Sequence, residues 1–511
     1  MSSSTFNVAG DDCVDLLIIG GGINGAGIAR DAAGRGHKVM LVEQSDLASA
    51  TSSASTKLIH GGLRYLELFE FRLVREALVE RERLLEIAPH IIRPMQFVLP
   101  HVAGLRPRWE IRLGLFFYDH MGGRQRLPAS RAVRLESEYG GVLKGAMRHG
   151  FAYSDCWVDD SRLVTLNAMD AAARGASILT RTRFIGANAA AGRWQAQLID
   201  QRTGRQSIVT ARAIVNASGP WVEEVLRYLP HVRNESQVRL IKGSHIIVPR
   251  MYAGDQAFLL QNPDGRVVFT IPYEDEFTLV GTTDVPYERD PGSVSISGDE
   301  IDYLCQAVNG YFTRQITPDD VKWTYAGVRP LHDDDATSAS KVTRDYKLEL
   351  AETESLPPLL SVFGGKITTY RRLAELAMQK LHPFLGGPKQ SWTAQAALPG
   401  GELPHGDFAA FLDGVQRRWP FLPDRLACRL AHSYGTRVSD ILAAARNIED
   451  LGTHFGAGLT RAEVDYLRSH EWAQTADDIL WRRSKIGLHM TADERASLVN
   501  YLGQQAPDAR A

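Results

Sequence analysis

Three glycines and one acid carry the clearest chemical signal in this chain. Gly20, Gly22 and Gly25 stand at G-x-G-x-x-G spacing, and Glu43 follows further on. Gly20 permits a tight turn, Gly22 lets a pyrophosphate approach the backbone, and Gly25 lets a helix pack closely on the preceding strand. A helix opening at such a turn adds free N–H groups and a favourable dipole for the anion. An acid at Glu43 can accept hydrogen bonds from both ribose hydroxyls of an adenosine. The spacing therefore suits a dinucleotide built on ADP, and leaves NAD and FAD both open.

The elements that must position these residues can be read next. Val14 and Leu16–Ile19 form a short apolar run that stops at the glycines, as a buried strand would. Ala26, Ile28, Ala29, Ala32 and Ala33 continue as a small-residue helix, and Val39–Val42 is a second buried strand ending at Glu43. Two later stretches repeat the strand-to-turn pattern. Ala213–Ala217 runs into Ser218, Gly219 and Pro220, and Leu359–Phe363 runs into Gly364, Gly365 and Lys366, with Ile367–Arg371 opening a helix. In a dinucleotide fold those strand ends face the ligand crevice. The polar segment Thr51–Lys57 follows the ribose-binding strand, so its hydroxyls and N–H groups are expected to touch the cofactor; composition alone would describe a plain loop.

Length and composition bound the rest. The 511 residues exceed one small core and suggest roughly three domains. With 44% hydrophobic and 23% charged residues the chain has the composition of a soluble globular protein. Lys plus Arg number 58 against 60 Asp plus Glu, which gives no general affinity for nucleic acid. Cys13, Cys156, Cys305 and Cys428 are scattered without metal or disulfide spacing, and reduced cytoplasmic thiols are the simple reading. Met1–Asp12 lacks the pattern of a secretory signal, and no run of 18 apolar residues predicts a spanning helix.

Val238–Val285 is rich in strand patterns and predicts a mainly antiparallel sheet suited to face a substrate. Phe71–Ala88 has helical periodicity. In Arg106–Arg126 the side chains of Trp109, Leu113, Phe116 and Phe117 share one helical face among five arginines. A core helix is the simpler reading, and a basic amphipathic element resting on a membrane is the alternative. Trp481, Arg482, Arg483 and Lys485 form a second candidate membrane contact. Asp159 and Asp160 could suggest a metal pair, but an acidic helix N-terminus explains them more simply, and no metal site is expected. Beyond a glycine- and proline-rich linker, Phe408–Gln505 is almost wholly helical in pattern, which places a boundary near residue 390.

Taken together, the Ile18–Gly27 turn, Thr51–Tyr65, Ser154–Asp160, Lys242–His245, Gly281–Asp284, Tyr325–Leu331, Thr343–Tyr346 and Ser361–Tyr370 closely resemble the aerobic, FAD-dependent glycerol-3-phosphate dehydrogenases. The resemblance spans nearly the whole chain, weakening in the first dozen residues and thinning after about residue 400. It implies an α/β fold of the D-amino-acid-oxidase type: a Rossmann-like FAD domain, a mainly antiparallel substrate (cap) domain and a helical C-terminal domain. The oxidoreductase region is expected at 1–390, with FAD-domain segments about 14–85, 150–230 and 340–385. Cap segments are expected at about 86–149 and 231–339, and the helical domain at 391–511. The implied reaction oxidises sn-glycerol 3-phosphate to dihydroxyacetone phosphate with non-covalently bound FAD, the electrons passing to ubiquinone or another membrane quinone. The expected setting is a homodimer held peripherally on the cytoplasmic membrane.

The resemblance also assigns residues. Arg64, Tyr65, Arg329, Arg344 and Lys366 are the implied phosphate-binding set, suited to a phosphomonoester near two negative charges. His245 is the candidate base for the C2 hydroxyl and Arg329 its candidate catalytic partner, although Arg329 could lower the hydroxyl pKa without any neutral base. Gly20, Gly22, Ile23, Asn24, Gly25, Glu43, Thr51, Ser52, Ser53, Lys57, His60, Gly61, Gly62, Leu63, Gly219, Gly364, Gly365, Lys366, Ile367 and Thr368 are the implied cofactor-binding residues. An NAD-dependent enzyme is disfavoured, because no separate nicotinamide half-domain follows the first unit.

Overall fold

The computed structural model describes residues 6–7 and 13–504, apart from 68, 103–105, 125, 230–231, 233–235, 333–344 and 354–355. Strand β1 (Cys13–Ile19) is buried from Leu16 onward and ends at the glycine turn, from which α1 (Ile23–Gly34) starts with Gly22 as N-cap. β2 (Val39–Val42) lies parallel to β1. The chain continues through α2 (Phe71–Ile87), β3 (Ile92–Pro100), α3 (Arg108–Met121) and β4 (His149–Val158) into α4 (Asp160–Ala173) and β5 (Ser177–Leu179). After a hairpin, β6 (Gln206–Asn216) returns to β1. The strands β7 (Val238–Pro249), β8 (Ala257–Gln261), β9 (Val267–Tyr273), β10 (Phe277–Gly281) and β11 (Trp323–His332) follow. Then come β12 (Lys347–Thr353), β13 (Leu356–Phe363) and α5 (Tyr370–Leu385).

The first sheet has the order β12-β13-β6-β1-β2-β5, with β13, β6, β1, β2 and β5 mutually parallel. Helices α4 and α5 pack on α1, whose small residues allow the close approach. Ala26, Ala29 and Ala32 are fully buried, and a Cβ at Gly27 would lie 2.7 Å from the Tyr370 ring. A buried ion pair of 2.6 Å between Arg30 and Asp170 fixes α1 to α4. The second sheet runs β7-β10-β9-β8-β3-β4, with β11 on the other side of β7, and is antiparallel except where β8 meets β3. The mainly antiparallel platform expected from Val238–Val285 is therefore present. Strand β4 also belongs to this sheet, so the segment expected to rejoin the first domain at 150 does so with α4.

The chain from Phe408 to Gln504 folds as short helices, in keeping with its almost wholly helical pattern, interrupted by one small antiparallel pair, His454–Gly456 with Leu459–Thr460. One apolar core runs from α1, α4 and α5 into this region, joining Ala29, Leu166 and Leu381 to Leu430, Tyr434 and Leu467. The C-terminal domain is thus packed into the FAD-type domain rather than tethered to it.

Candidate active site

The C-terminal ends of β1, β2, β6 and β13 open on one cavity of about 1050 Å³, to which β7, β8, β9 and β11 of the second sheet also contribute. This is where an α/β sheet binds its ligand. Gly20 has φ +113°, and a Cβ there would sit 2.5 Å from the Ala217 carbonyl oxygen. A Cβ on Gly25 would overlap the Gly20 carbonyl, so Gly25 lies under the turn and lets α1 approach β1, as its spacing implies. The Ile23 N–H donates to Ser52 Oγ at 3.0 Å. Glu43 is held by two backbone donors, the Gly21 N–H to Oε2 at 2.7 Å and the Ser45 N–H to Oε1 at 2.8 Å. Burial raises its pKa, and those two N–H groups work in the opposite direction.

A second glycine turn meets the first. Asn24 Nδ2 donates to the Gly364 carbonyl at 3.2 Å, and Gly364 and Gly365 adopt φ of +74° and +101°. Thr51 Oγ1 donates to Val328 O at 2.6 Å, Ser53 Oγ to Ala50 O at 3.3 Å, and the His60 N–H to Thr368 Oγ1 at 3.3 Å. These residues line the cavity together with Gly22, Gly62, Leu63, Gly219 and Ile367. Two glycine cradles that a side chain would fill, an anchored acid and this volume fit FAD.

Of the expected cofactor contacts, Gly61 is placed otherwise and Lys57 is engaged by other partners. The Gly61 N–H donates to Tyr118 Oη at 2.8 Å, and a Cβ there would lie 2.5 Å from Leu78, so Gly61 faces α2 and α3 and does not line the cavity. Lys57 lines it, but its buried ammonium contacts Asp160 at 2.8 and 3.0 Å and Ser53 O at 3.0 Å. Burial works to raise the pKa of Asp160, yet Lys57 and then Lys485 hold it below the ordinary value. Lys57 is thereby a structural cation. Asp159 is the N-cap of α4, accepting from the Arg162 N–H at 3.2 Å. Among the described residues no cluster is fit to hold a metal.

The substrate side occupies the same cavity. Arg64 and Tyr65 ride on the 3-10 turn Leu63–Leu66, which Gly62 launches at φ +76°. The Lys366 ammonium lies 3.8 Å from the centre of the Tyr65 ring. Arg329 pairs with Asp284 through Nη1 and donates to Thr282 Oγ1 at 3.0 Å through Nη2. A Cβ on Gly243 would collide with that guanidinium, which is why glycine stands between Lys242 and Ser244. Arg344 lies outside the described residues.

His245 on β7 is opposite Tyr325 on β11, and four residues further along β11 Arg329 shares their face. The two rings stack with centroids 4.6 Å apart, His245 Nε2 meets Thr56 Oγ1 at 3.0 Å, and Nδ1 has no hydrogen-bond partner among the described residues. Burial first, then Arg329 and Lys57, press the His245 pKa well below its ordinary value. The imidazole is accordingly neutral at neutral pH. Thr56, Tyr325, Thr282 and Asp284 were not singled out from the sequence. Each falls within a stretch that carries the resemblance, but its partner is remote in the chain.

The structure separates the two membrane candidates. In α3 the buried side chains are Ile111, Leu115 and Tyr118, whereas Trp109 (69% exposed), Leu113, Phe116 and Phe117 face outward. The core-helix reading of that aromatic face is therefore wrong. Trp481–Lys485 is the reverse case. Trp481 stacks on Trp323 at 3.8 Å, Arg483 is fully buried on Asp46, and Lys485 bonds Ser161 Oγ. Trp481 and Arg482 keep part of their surface, but they and Lys485 line the cavity, which argues against that cluster as a membrane contact.

Residues 15–371 match the FAD dependent oxidoreductase family, and residues 391–501 match the C-terminal domain of alpha-glycerophosphate oxidase. A glycerol-3-phosphate dehydrogenase of Pseudomonas aeruginosa is 52% identical over 493 residues, 96% of each chain. A D-erythritol 1-phosphate dehydrogenase of Brucella abortus is 51% identical over 498 residues, 97% of this chain and 98% of that one. The crystal structure of the glycerol-3-phosphate dehydrogenase from Bacillus halodurans complexed with FAD superposes with a TM-score of 0.74 at 28% identity, covering 97% of this chain and 95% of that one.

Proposed function

Because the chain belongs to the FAD-dependent oxidoreductase family and carries its glycerophosphate-type C-terminal domain, we propose that it oxidises sn-glycerol 3-phosphate to dihydroxyacetone phosphate and passes the electrons to a membrane quinone. The observation that carries this reading is the convergence of Arg64, Arg329, Lys366 and a neutral His245 on the cavity that holds the glycine cradle. Bound FAD supplies the two-electron acceptor for the hydride leaving C2. Arg64, Arg329 and Lys366, with Tyr65, bind the phosphate, and the resemblance adds Arg344. Gly20, Gly22 and Glu43 hold the pyrophosphate and ribose of the cofactor.

His245 takes the hydroxyl proton as a neutral imidazole whose ring is held by Thr56 at Nε2 and by stacking on Tyr325. An imidazolium in this buried, positive setting is unfavourable in the absence of substrate. The incoming dianion offsets the Arg329 charge, so proton acceptance is favoured only once the substrate is in place. The exposed aromatic face of α3, flanked by Arg108 and Arg112, supports attachment to the cytoplasmic membrane surface, and no helix among the described residues is long and apolar enough to cross it. A homodimer belongs to the same family-based reading. Trp109→Ser with Phe116→Ser should release the protein from anionic vesicles in a sedimentation assay; full retention rejects α3 as the contact.

The Brucella relative favours a second substrate of the same chemistry, one carbon longer. Comparison of kcat/KM for the two polyol phosphates, with a quinone analogue and with oxygen as acceptors, separates the readings. A preference for glycerol 3-phosphate and quinone is expected; preference for the longer phosphate or for oxygen reassigns the substrate or the acceptor.

A further inference from the structure

The C-terminal domain contributes Trp481, Arg482 and Lys485 to the cavity wall. Trp481 and Arg482 come from one turn, Asp478–Arg483, wound as a π-helix, where the Ser484 N–H reaches back to Ile479 O at 3.1 Å, and Lys485 follows directly after it. Such turns are uncommon and cluster at functional sites. The turn grips the loop that follows β2. Arg483 makes two parallel bonds to Asp46, Nη1 to Oδ2 at 2.7 Å and Nη2 to Oδ1 at 2.8 Å, and Arg482 Nε adds a third at 2.6 Å. Asp46 is 2% exposed and lies three residues after Glu43.

The same turn holds the loop from its other side. Asp478 accepts Arg181 Nη2 at 2.6 Å as well as Arg482 Nη2. The neighbouring backbone of Arg181 and Thr182 donates to Ser45 O at 2.8 Å and Glu43 O at 2.7 Å. Glu43, Ser45 and Asp46 are thus fixed between two arginines and one aspartate of a domain more than 430 residues away in sequence. The stacked Trp323–Trp481 pair lines the cavity where the two domains meet.

We propose that the C-terminal domain acts as a cofactor clamp: Arg482 and Arg483 on Asp46 position the Glu43–Asp46 loop and thereby set the affinity for the adenosine half of FAD. Arg482 is a positioning residue, and the inference rests on the assignment of Glu43 to the ribose. The test measures the FAD dissociation constant by recovery of flavin fluorescence on dilution of the holoenzyme. Wild type, Arg482→Gln, Glu43→Gln and the double variant are compared, with KM for glycerol 3-phosphate measured alongside.

Arg482→Gln should weaken FAD binding about tenfold or more with KM unchanged, and its effect should fall below about twofold in the Glu43→Gln background. An unchanged FAD constant in Arg482→Gln, with Glu43→Gln still weakened, overturns the clamp and leaves the ribose assignment standing. Equal losses in both backgrounds indicate general destabilisation and also overturn it. No effect of Glu43→Gln removes the underlying assignment instead. If Arg482→Gln does not fold, Arg482→Lys carries the test, since one point donor in place of a fork gives an intermediate loss, and an unchanged constant refutes the proposal.

Discussion

Replacing Arg329 by alanine tests the phosphate pocket through its most connected member. Its guanidinium already spans Asp284 and Thr282, so it is held in one orientation before substrate arrives. A charge-assisted bond to the phosphate contributes about 1.5–3 kcal/mol, and losing one lowers kcat/KM by roughly 10- to 150-fold. The truncation has a second effect, because it removes the cation set against the Asp284 carboxylate, 10% exposed, beside the incoming dianion. The loss should therefore lie at or above the upper end of that range. Asp284→Asn in the Arg329→Ala background should recover about tenfold by removing the repulsion. The assay is steady-state glycerol 3-phosphate oxidation with a quinone analogue, with flavin content measured on each variant. A kcat/KM within twofold of wild type at full flavin occupancy refutes the phosphate assignment.

His245→Asn should slow flavin reduction about 10²- to 10⁴-fold, the range for loss of a general base, with little change in substrate binding; stopped-flow reduction across pH checks this. His90 is buried with both ring nitrogens unpaired among the described residues, and burial brings its pKa down to about 3. Its folded-state value lies below the unfolded one, so the unfolded chain binds more protons and stability falls as pH drops below about 6.5. At pH 5 that cost approaches about 2 kcal/mol, and urea unfolding of His90→Gln should show a correspondingly weaker acid dependence. Gly25→Ala should cost FAD binding outright, since its Cβ overlaps the Gly20 carbonyl; equilibrium dialysis that finds normal flavin content contradicts the turn assignment.

The first βαβ unit was legible because its information is local: strand, glycine turn, helix and acid follow one another between Val14 and Glu43, and the structure keeps that order. The pairing of β7 with β11 was not, because it joins His245 to Tyr325 across 80 positions and no periodicity encodes such a register. The resemblance supplied His245 and Arg329, while the contacts that hold them, Thr56 and Asp284, arise only where the fold brings remote segments together. In α3 the periodicity correctly grouped Trp109 with Phe116 and Phe117, but grouping a face does not say whether anything covers it. Ile111, Leu115 and Tyr118 form a second apolar face, and that is the buried one. The Trp481–Lys485 cluster misled for the opposite reason. Cations read as surface by default, whereas the buried acids Asp46, remote in the chain, and Glu471, one short helix away, draw Arg483 inside.

The most direct test of the account is anaerobic mixing of the purified FAD-loaded protein with sn-glycerol 3-phosphate while the visible flavin band is followed. The band is expected to bleach with saturating dependence on substrate, with one dihydroxyacetone phosphate formed per flavin. A band that persists in anaerobic excess of sn-glycerol 3-phosphate would contradict it.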